Sequence, residues 1–280
     1  MKSLGKHPSL VLIIGICPRS GTNYLSNIVN CFDGFEPVEI AKEDHLFEKA
    51  YLLEKFSRDC TSRWIPWNDE SYDALEAKQK VMQGLGDGLV ASFRNSLEDR
   101  KATPVLKTPI TFCTRNRLLD SDYSSIYELF PDAKVILLTR NSTDTIMSTH
   151  RTWPKKPFLL IVLRWIMGAR HILKIVEGAG SQKNNQPLLV KYEEIIQRPI
   201  ETAKKIGTFL QQDANISLES RVRDLPIIGS SKTKDKNGNM TWEPVSKNEV
   251  IVGNSNLKMN SFKALTIKLL TSYYQKALVD

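Results

Sequence analysis

The sequence of 280 residues contains only four cysteines. They are Cys17, Cys31, Cys60 and Cys113, and their spacing fits neither a metal site nor a dense disulfide framework. We therefore expect reduced thiols, a cytoplasmic protein and no bound metal. Cys17 is expected to be sensitive to alkylation, although no neighbouring base suggests that it acts as a nucleophile.

Long hydrophobic segments are absent as well. The first apolar run, residues 10–15, has the length of a strand and not of a signal peptide's apolar region. The most apolar later segment, residues 157–167, is too short to cross a bilayer and contains Arg164. We interpret it as a buried helix, with an acceptor-site wall or a membrane-surface helix as alternatives. Stable membrane insertion is not expected.

Acidic residues are in the minority. Lys and Arg number 39 against 31 Asp and Glu, so the net charge of +8 suits an anionic ligand or nucleic acid. The basic residues are scattered, and no zinc-finger or RNA-binding signature is present, so nucleic acid is not expected as a partner. The sequence has no internal repeat. Hydrophobic residues make up 41% of it, which is enough to form one hydrophobic core. We predict a single domain over residues 1–280.

The most informative segment is residues 15–22, Gly-Ile-Cys-Pro-Arg-Ser-Gly-Thr. It follows the apolar run and precedes a helical pattern over residues 22–32. A strand–loop–helix unit of this kind directs backbone N–H groups and the positive helix end toward an anion. The presence of Arg19 favours phosphate or sulfate, and the alternative is a turn that binds nothing.

This loop lacks the lysine of a nucleotide-binding P-loop. The Walker A pattern is G-x-x-x-x-G-K-[ST], whereas Thr22 directly follows Gly21 here. The best later strand, residues 134–139, leads into Arg140 and not into an aspartate that would help to hold Mg²⁺. The pattern therefore favours an anion site without a metal and argues against ATP or GTP as a phosphoryl donor.

A second anion-binding motif begins at Arg140. Ser148 follows it by eight residues, within a helix predicted over residues 142–150 with Ser142 as its N-cap. A guanidinium can hold a phosphate through two hydrogen bonds, and a serine hydroxyl adds one more donor. A plain surface arginine is the alternative interpretation of Arg140.

Strands and helices alternate along the chain. Strands are predicted at residues 10–15, 104–107, 134–139 and 187–192, and helices at 22–32, 41–58, 70–97, 142–150, 158–177, 199–210 and 258–275, while 211–260 is poorly patterned. This order predicts an α/β fold with a central parallel sheet covered by helices. Ligands bind at the carboxyl ends of such strands, where Arg19, Lys107 and Arg140 all fall.

Together these motifs resemble those of the sulfotransferases that use 3′-phosphoadenosine 5′-phosphosulfate (PAPS). Residues 18–23 are similar to the family's 5′-phosphosulfate loop in its arginine-bearing form, and residues 135–148 to its 3′-phosphate motif. Residues 43–47 resemble the Glu-x-His-x-Phe stretch of heparan-sulfate-type members. Residues 107–109 resemble the family's Lys-(Ser/Thr)-Pro segment, and residues 188–195 resemble its Tyr-Glu-Asp-Leu strand end. The resemblance spans most of residues 9–245 and implies the P-loop-like sulfotransferase architecture.

The resemblance also implies a set of site residues. It assigns binding of PAPS, and of its product 3′-phosphoadenosine 5′-phosphate (PAP), to Arg19, Ser20, Gly21, Thr22, Asn23, Arg140, Ser148, Tyr192, Ser230 and Ser231. Glu43 is the implied general base, because Pro109 stands where cytosolic members have a histidine. Lys107 would contact the sulfonate, and His45 would orient Glu43 or the acceptor. For each of these residues, the alternative interpretation is a side chain that is solvated at the surface or only packs in the core.

Residues 229–247 combine lysines with Ser, Asn and Gly. Such runs are typical of solvated, flexible surface. The resemblance offers another interpretation, in which Ser230, Ser231 and Trp242 belong to a segment that closes over the 3′-phosphate when the cofactor binds.

The favoured function is transfer of a sulfuryl group from PAPS to a hydroxyl or amine of a small-molecule acceptor, for example a natural product. A P-loop-like small-molecule kinase and a non-catalytic protein that binds nucleic acid or another anion are the alternatives. Candidate acceptor-pocket segments are residues 44–75 and 153–171, with tryptophans at Trp64, Trp67, Trp153 and Trp165.

Overall fold

The structure is a computed structural model. It describes residues 8–38, 46–62, 73–110, 124–179, 186–213, 216–234, 240–245 and 261–279. Two predicted catalytic residues, Glu43 and His45, lie outside the described residues, as do Trp64, Trp67 and Cys113.

A five-stranded parallel sheet forms the centre of the molecule. Its strands are β1 (Val11–Gly15), β2 (Phe35–Pro37), β3 (Thr103–Pro109), β4 (Lys134–Thr139) and β5 (Leu188–Lys191). Their spatial order is β2-β3-β1-β4-β5. All five residues of β1 are buried, as expected for a strand that pairs with β3 on one side and β4 on the other and is covered on both faces.

Helices cover both faces of this sheet. They are α1 (Thr22–Val29), α2 (Leu46–Thr61), α3 (Ala74–Asn95), α4 (Ser124–Leu129), α5 (Ser142–Thr152), α6 (Phe158–Ala179), α7 (Tyr192–Gln197), α8 (Pro199–Leu210), α9 (Ile216–Asp224) and α10 (Ser261–Leu278). Strands β6 (Ile227–Lys234) and β7 (Met240–Val245) form a separate antiparallel pair. This arrangement confirms the predicted α/β fold with a helix-covered parallel sheet.

The core consists of two apolar layers, one on each face of the sheet. Because side chains alternate along a strand, Leu12 and Ile14 of β1 point into one layer, and Val11 and Ile13 into the other. The first layer is closed by α3, α5 and α6, and the second by α1 and α8. The functional loop after β1 is therefore anchored by a strand that is buried from both sides.

The apolar segment predicted as a buried helix forms the first part of α6. Val162 and Trp165 are fully buried in the core layer that covers the sheet, whereas Leu159 and Leu163 are exposed. None of the helices in the described ranges has the length and apolarity needed to cross a membrane.

The N-cap of α5 differs from the prediction. The cap is Asn141, whose side-chain oxygen accepts a hydrogen bond from the backbone N–H of Asp144 at 3.2 Å. The predicted cap, Ser142, instead donates its backbone N–H to Gln275 Oε1 at 2.9 Å and accepts a hydrogen bond from Thr271 at 3.0 Å. Contact with α10 therefore engages the hydroxyl that the sequence suggested as a cap.

Two further expectations are corrected by the backbone. Tyr192 begins α7 and does not end a strand, because β5 stops at Lys191. The poorly patterned stretch 211–260 contains α9, β6 and β7. Within the segment predicted as a flexible loop, residues 229–234 and 240–245 are paired strands.

Candidate active site

The loop between β1 and α1 folds tightly over the end of its strand. Arg19 and Gly21 both have left-handed backbone conformations, with φ of 73° and 101°. A side chain at Gly21 would overlap the ring of Tyr192, so glycine is required there for both reasons. Gly21 is also the residue that precedes α1, whose first N–H groups lack partners within the helix. The loop thus presents its donors at the positive end of α1.

Arg140 joins the two predicted anion motifs. Its Nη1 donates a hydrogen bond to the carbonyl oxygen of Arg19 at 2.9 Å, and its guanidinium lies 4.1 Å from the centre of the Tyr192 ring. Its own carbonyl accepts a hydrogen bond from Trp165 Nε1 at 3.3 Å. The residue after β4 is therefore fixed by contacts to the loop, to α7 and to α6.

Arg19 reaches the helix that carries the second motif. Its Nε donates to Ser148 Oγ at 3.4 Å, and Thr149 Oγ1 donates to the carbonyl of Pro18 at 3.4 Å. Burial, and next the nearby charge of Arg140, lower the pKa of Arg19 to about 10. Arg19 remains charged at neutral pH, but its charge is poorly solvated and lies close to a second cation.

Among the residues predicted to bind the cofactor, two buried polar atoms have no hydrogen-bond partner in the described part of the chain. They are Ser20 Oγ in the loop and Arg140 Nε. Buried polar atoms are normally paired, because desolvation without a hydrogen bond is costly. Both atoms belong to residues predicted to bind a phosphate-bearing cofactor, and an anion with several oxygens fits these unused donors.

Lys107 approaches the loop from the neighbouring strand. It lies on β3 opposite Ile13 of β1, and its Nζ donates to Asn23 Oδ1 at 2.5 Å. Asn23 belongs to the first turn of α1. A third cation is thereby held beside the loop's helix end.

Glu193 is a residue of this region for which the sequence motifs predict no individual role. Its Oε1 accepts a hydrogen bond from the backbone N–H of Asn141 at 2.8 Å, so it supports the turn that follows Arg140. Burial raises the pKa of Glu193, and burial likewise raises the pKa of its neighbour Tyr192. The only sequence signal was its place after Tyr192 at the end of a strand, which does not reveal a contact to residue 141.

The structure brings together nine of the predicted site residues around one end of the sheet: Arg19, Ser20, Gly21, Thr22, Asn23, Lys107, Arg140, Ser148 and Tyr192. Ser230 and Ser231 lie in β6, of which only the backbone is described at these positions. The chemical roles of all these residues, and of Glu43 and His45, stay predictions.

Cys17 lies in the same loop, and its thiol is buried there. It is 4% exposed, and burial raises its pKa to about 12, with Arg140 acting weakly in the other direction. The thiolate is the reactive form of cysteine. The structure therefore argues against the alkylation sensitivity expected from the sequence.

A comparison with protein families identifies the chain. A family described as the sulfotransferase family matches residues 11–215, which is well over half of the sequence. The chain belongs to the sulfotransferase family. No curated protein sequence matches this sulfotransferase.

Solved structures share the fold of this sulfotransferase at low sequence identity. A mouse sulfotransferase complexed with PAP is 15% identical, with a TM-score of 0.52 over 95% of this chain and 84% of the other. Retinol dehydratase in a complex with retinol and PAP is 13% identical, with a TM-score of 0.51 over 99% of this chain and 84% of the other. At these identities the likeness shows the fold alone.

A cleft of this sulfotransferase opens beside the loop and has a volume of about 290 Å³ including its open mouth. Its walls come from the loop, α5, the turn after α5, and α6: Cys17, Pro18, Thr145, Ile146, Thr149, Trp153, Lys156, Ile161, Arg164 and Trp165. Two of the tryptophans suggested for an acceptor pocket, Trp153 and Trp165, thus lie in one cleft.

Proposed function

We propose that this sulfotransferase moves a sulfuryl group from PAPS to a hydroxyl or amine of a small-molecule acceptor. The observation that carries the proposal is the meeting of the two anion motifs, in which Arg19 contacts Ser148 and Arg140 contacts the Arg19 carbonyl. PAP in the mouse and retinol dehydratase structures supports a cofactor of this kind. Retinol in one of those structures supports an acceptor of small-molecule size.

The proposed binding roles follow from the chemistry of the side chains. The backbone N–H groups of residues 21–23, together with Arg19 and the Ser20 hydroxyl, would hold the 5′-phosphate end at the positive end of α1. Arg140 and Ser148 would hold the 3′-phosphate through a guanidinium and a hydroxyl. Tyr192, under the guanidinium of Arg140, would flank the base, and Ser230 and Ser231 would close the site.

The proposed chemistry is an in-line transfer. PAPS supplies a sulfuryl group attached to a phosphate that can leave. As the acceptor oxygen or nitrogen forms a bond to sulfur, the bond from sulfur to the phosphate oxygen breaks, and charge develops on that oxygen. Lys107 and Arg19 would stabilise this charge, Glu43 would take the acceptor's proton, and His45 would orient Glu43.

Direct binding of PAP tests the proposal. We expect wild-type protein to bind PAP in isothermal titration calorimetry with EDTA present. Arg140→Ala is expected to weaken binding by about tenfold or more, since hydrogen bonds to charged groups contribute about 1.5–3 kcal/mol. Arg170→Ala is the matched control, because Arg170 is exposed on α6. Glu43→Gln should keep PAP affinity while losing transfer of radiolabelled sulfate from PAPS.

Other outcomes would select the other functions. Absence of PAP binding by the wild-type protein refutes the donor assignment. Turnover of ATP that requires Mg²⁺ would favour the kinase, whose strand-end aspartate is replaced by Arg140 here. Steeply salt-dependent DNA binding without competition by PAP would favour a nucleic-acid-binding protein.

A further inference from the structure

Two cations line the cleft beside the loop, and neither forms an ion pair within the described part of the chain. Lys156 lies in the turn after α5, and its Nζ is 4.2 Å from the centre of the Trp153 ring. Arg164 lies on α6, and its buried Nε has no hydrogen-bond partner among the described residues. Both side chains belong to the cleft lining.

The remaining walls of the cleft are mostly apolar. Ile146, Ile161 and Trp165 are buried side chains of this lining, and Trp153 adds an aromatic face. The cleft also reaches Cys17 and Pro18 of the loop, which precede Arg19, the residue proposed to hold the 5′-phosphate end. A ligand in it would therefore extend from the loop along an apolar wall to two positive charges.

The electrostatics of the cleft favour a negative charge. Burial, and next the charge of Arg164, lower the pKa of Lys156. The charge of Arg164 thus disfavours the charged form of Lys156, which is already partly desolvated. An anion between them would remove this repulsion and also supply the acceptor atom that the buried Nε of Arg164 lacks.

We propose that the acceptor of this sulfotransferase carries an anionic group, such as a carboxylate, which binds to Lys156 and Arg164 while its apolar body lies against the partly exposed ring of Trp153. The proposal rests on the proposed function, because it takes the cleft as the acceptor site. It narrows the acceptor from any small alcohol or amine to an amphipathic molecule with a negative charge at a distance from the reacting group.

A pair of probes that differ only in the anionic group tests this. 2-Naphthol and 6-hydroxy-2-naphthoate share the ring system and the hydroxyl, and only the second has a carboxylate. We expect the naphthoate to bind PAP-saturated protein about tenfold more tightly in calorimetry, which corresponds to about 1.4 kcal/mol. Lys156→Met and Arg164→Met should each reduce this preference severalfold and change the affinity for 2-naphthol little.

Matched controls separate a local charge effect from general electrostatics. Lys155→Met removes an exposed charge next to Lys156, and Arg170→Met removes an exposed charge on the same helix as Arg164. Both should retain the preference. Arg164→Lys keeps the charge and should retain most of it, which guards against a loss caused by misfolding of the methionine variant.

Several results would overturn the proposal. Equal affinity for the two probes would do so, as would a preference that survives both Lys156→Met and Arg164→Met. Weaker PAP binding in Lys156→Met would assign the two cations to the donor. Failure of PAP to bind would refute the donor assignment. Because the titrations are also carried out without PAP, the affinities of the two naphthalene probes can still be compared in that case.

Discussion

Arg140 makes three different contacts in the candidate active site. It donates to the Arg19 carbonyl, covers the Tyr192 ring and accepts from Trp165 through its own carbonyl. A guanidinium is planar and carries several donors in a fixed geometry, so it can stack on a ring and donate sideways at the same time. A single ammonium group cannot do both. The residue is thus suited to shape the site as well as to bind an anion.

The reactivity of Cys17 gives a prediction at the scale of one residue. Its pKa of about 12 leaves little thiolate, so iodoacetamide at pH 8 should modify Cys17 about 1,000-fold more slowly than an ordinary thiol. Cys60, which is partly exposed, provides the internal comparison. Peptide mass spectrometry over a time course measures both. Modification of Cys17 as fast as Cys60 in the folded protein would contradict the prediction, and equal rates are expected only in denaturant.

At the scale of elements, α3 contains three glycines whose surroundings differ. A Cβ added at Gly84 or Gly88 meets no atom within 4 Å, whereas one at Gly86 would overlap the carbonyl oxygen of Leu129. The middle glycine therefore permits the close approach of α3 and α4, and the outer two only add flexibility to a helix.

Substitution of these glycines by alanine should separate the two situations. Gly84→Ala and Gly88→Ala are each expected to raise the free energy of unfolding by about 0.5–1 kcal/mol, since alanine favours the helix. Gly86→Ala should lower it by about 1–3 kcal/mol through overpacking. Urea unfolding followed by circular dichroism measures all three. A Gly86→Ala protein as stable as the other two would disprove the close contact.

The sequence was sufficient for elements with continuous or periodic apolar residues. Strand β1 is an uninterrupted apolar run and β4 contains four consecutive apolar residues, and both were predicted within a residue of their observed bounds. Strand β2 was missed because it has only three residues, including Glu36 and Pro37. The pairing of β6 with β7 was missed because Ser, Thr and Lys dominate β6.

Prediction of the site was limited by contacts between distant residues. Local chemistry identified Arg19, Arg140 and Ser148 as anion-binding candidates, but not that Arg19 and Ser148 touch. The cap of α5 was misassigned because Asn141 and Ser142 are both good N-caps, and only the contact to α10 decides between them. The support that Glu193 gives to Asn141 depends on burial, which a short motif does not encode.

At the scale of the whole molecule, α10 is attached to the turn that carries Arg140. Gln275 Oε1 accepts from the backbone N–H of Ser142, and Thr139 Oγ1 donates to the carbonyl of Leu278 at 3.3 Å. These contacts join residues more than 130 positions apart in the sequence. The position of the second anion motif thus depends on a distant helix.

Loss of the Gln275 contact should affect stability and binding together. Gln275→Ala leaves a partly buried N–H without its acceptor, so the free energy of unfolding should fall by about 1–3 kcal/mol. PAP affinity should also fall severalfold, because the turn after β4 is less well held. Lys276→Ala, an exposed neighbour on α10, should change stability by less than about 0.5 kcal/mol. Unchanged PAP affinity in Gln275→Ala would show that α10 supports the fold but not the site.

The attachment of α10 also bears on how the protein is made. During synthesis the segments nearer the N-terminus emerge and begin to fold first. The five strands of the sheet and the loop bearing Arg19 therefore leave the ribosome well before residues 261–279. Until those residues arrive, the N–H of Ser142 and the hydroxyl of Thr139 lack their α10 partners. We expect a nascent chain to form its sheet early and to acquire nucleotide affinity only once residues 261–279 have emerged.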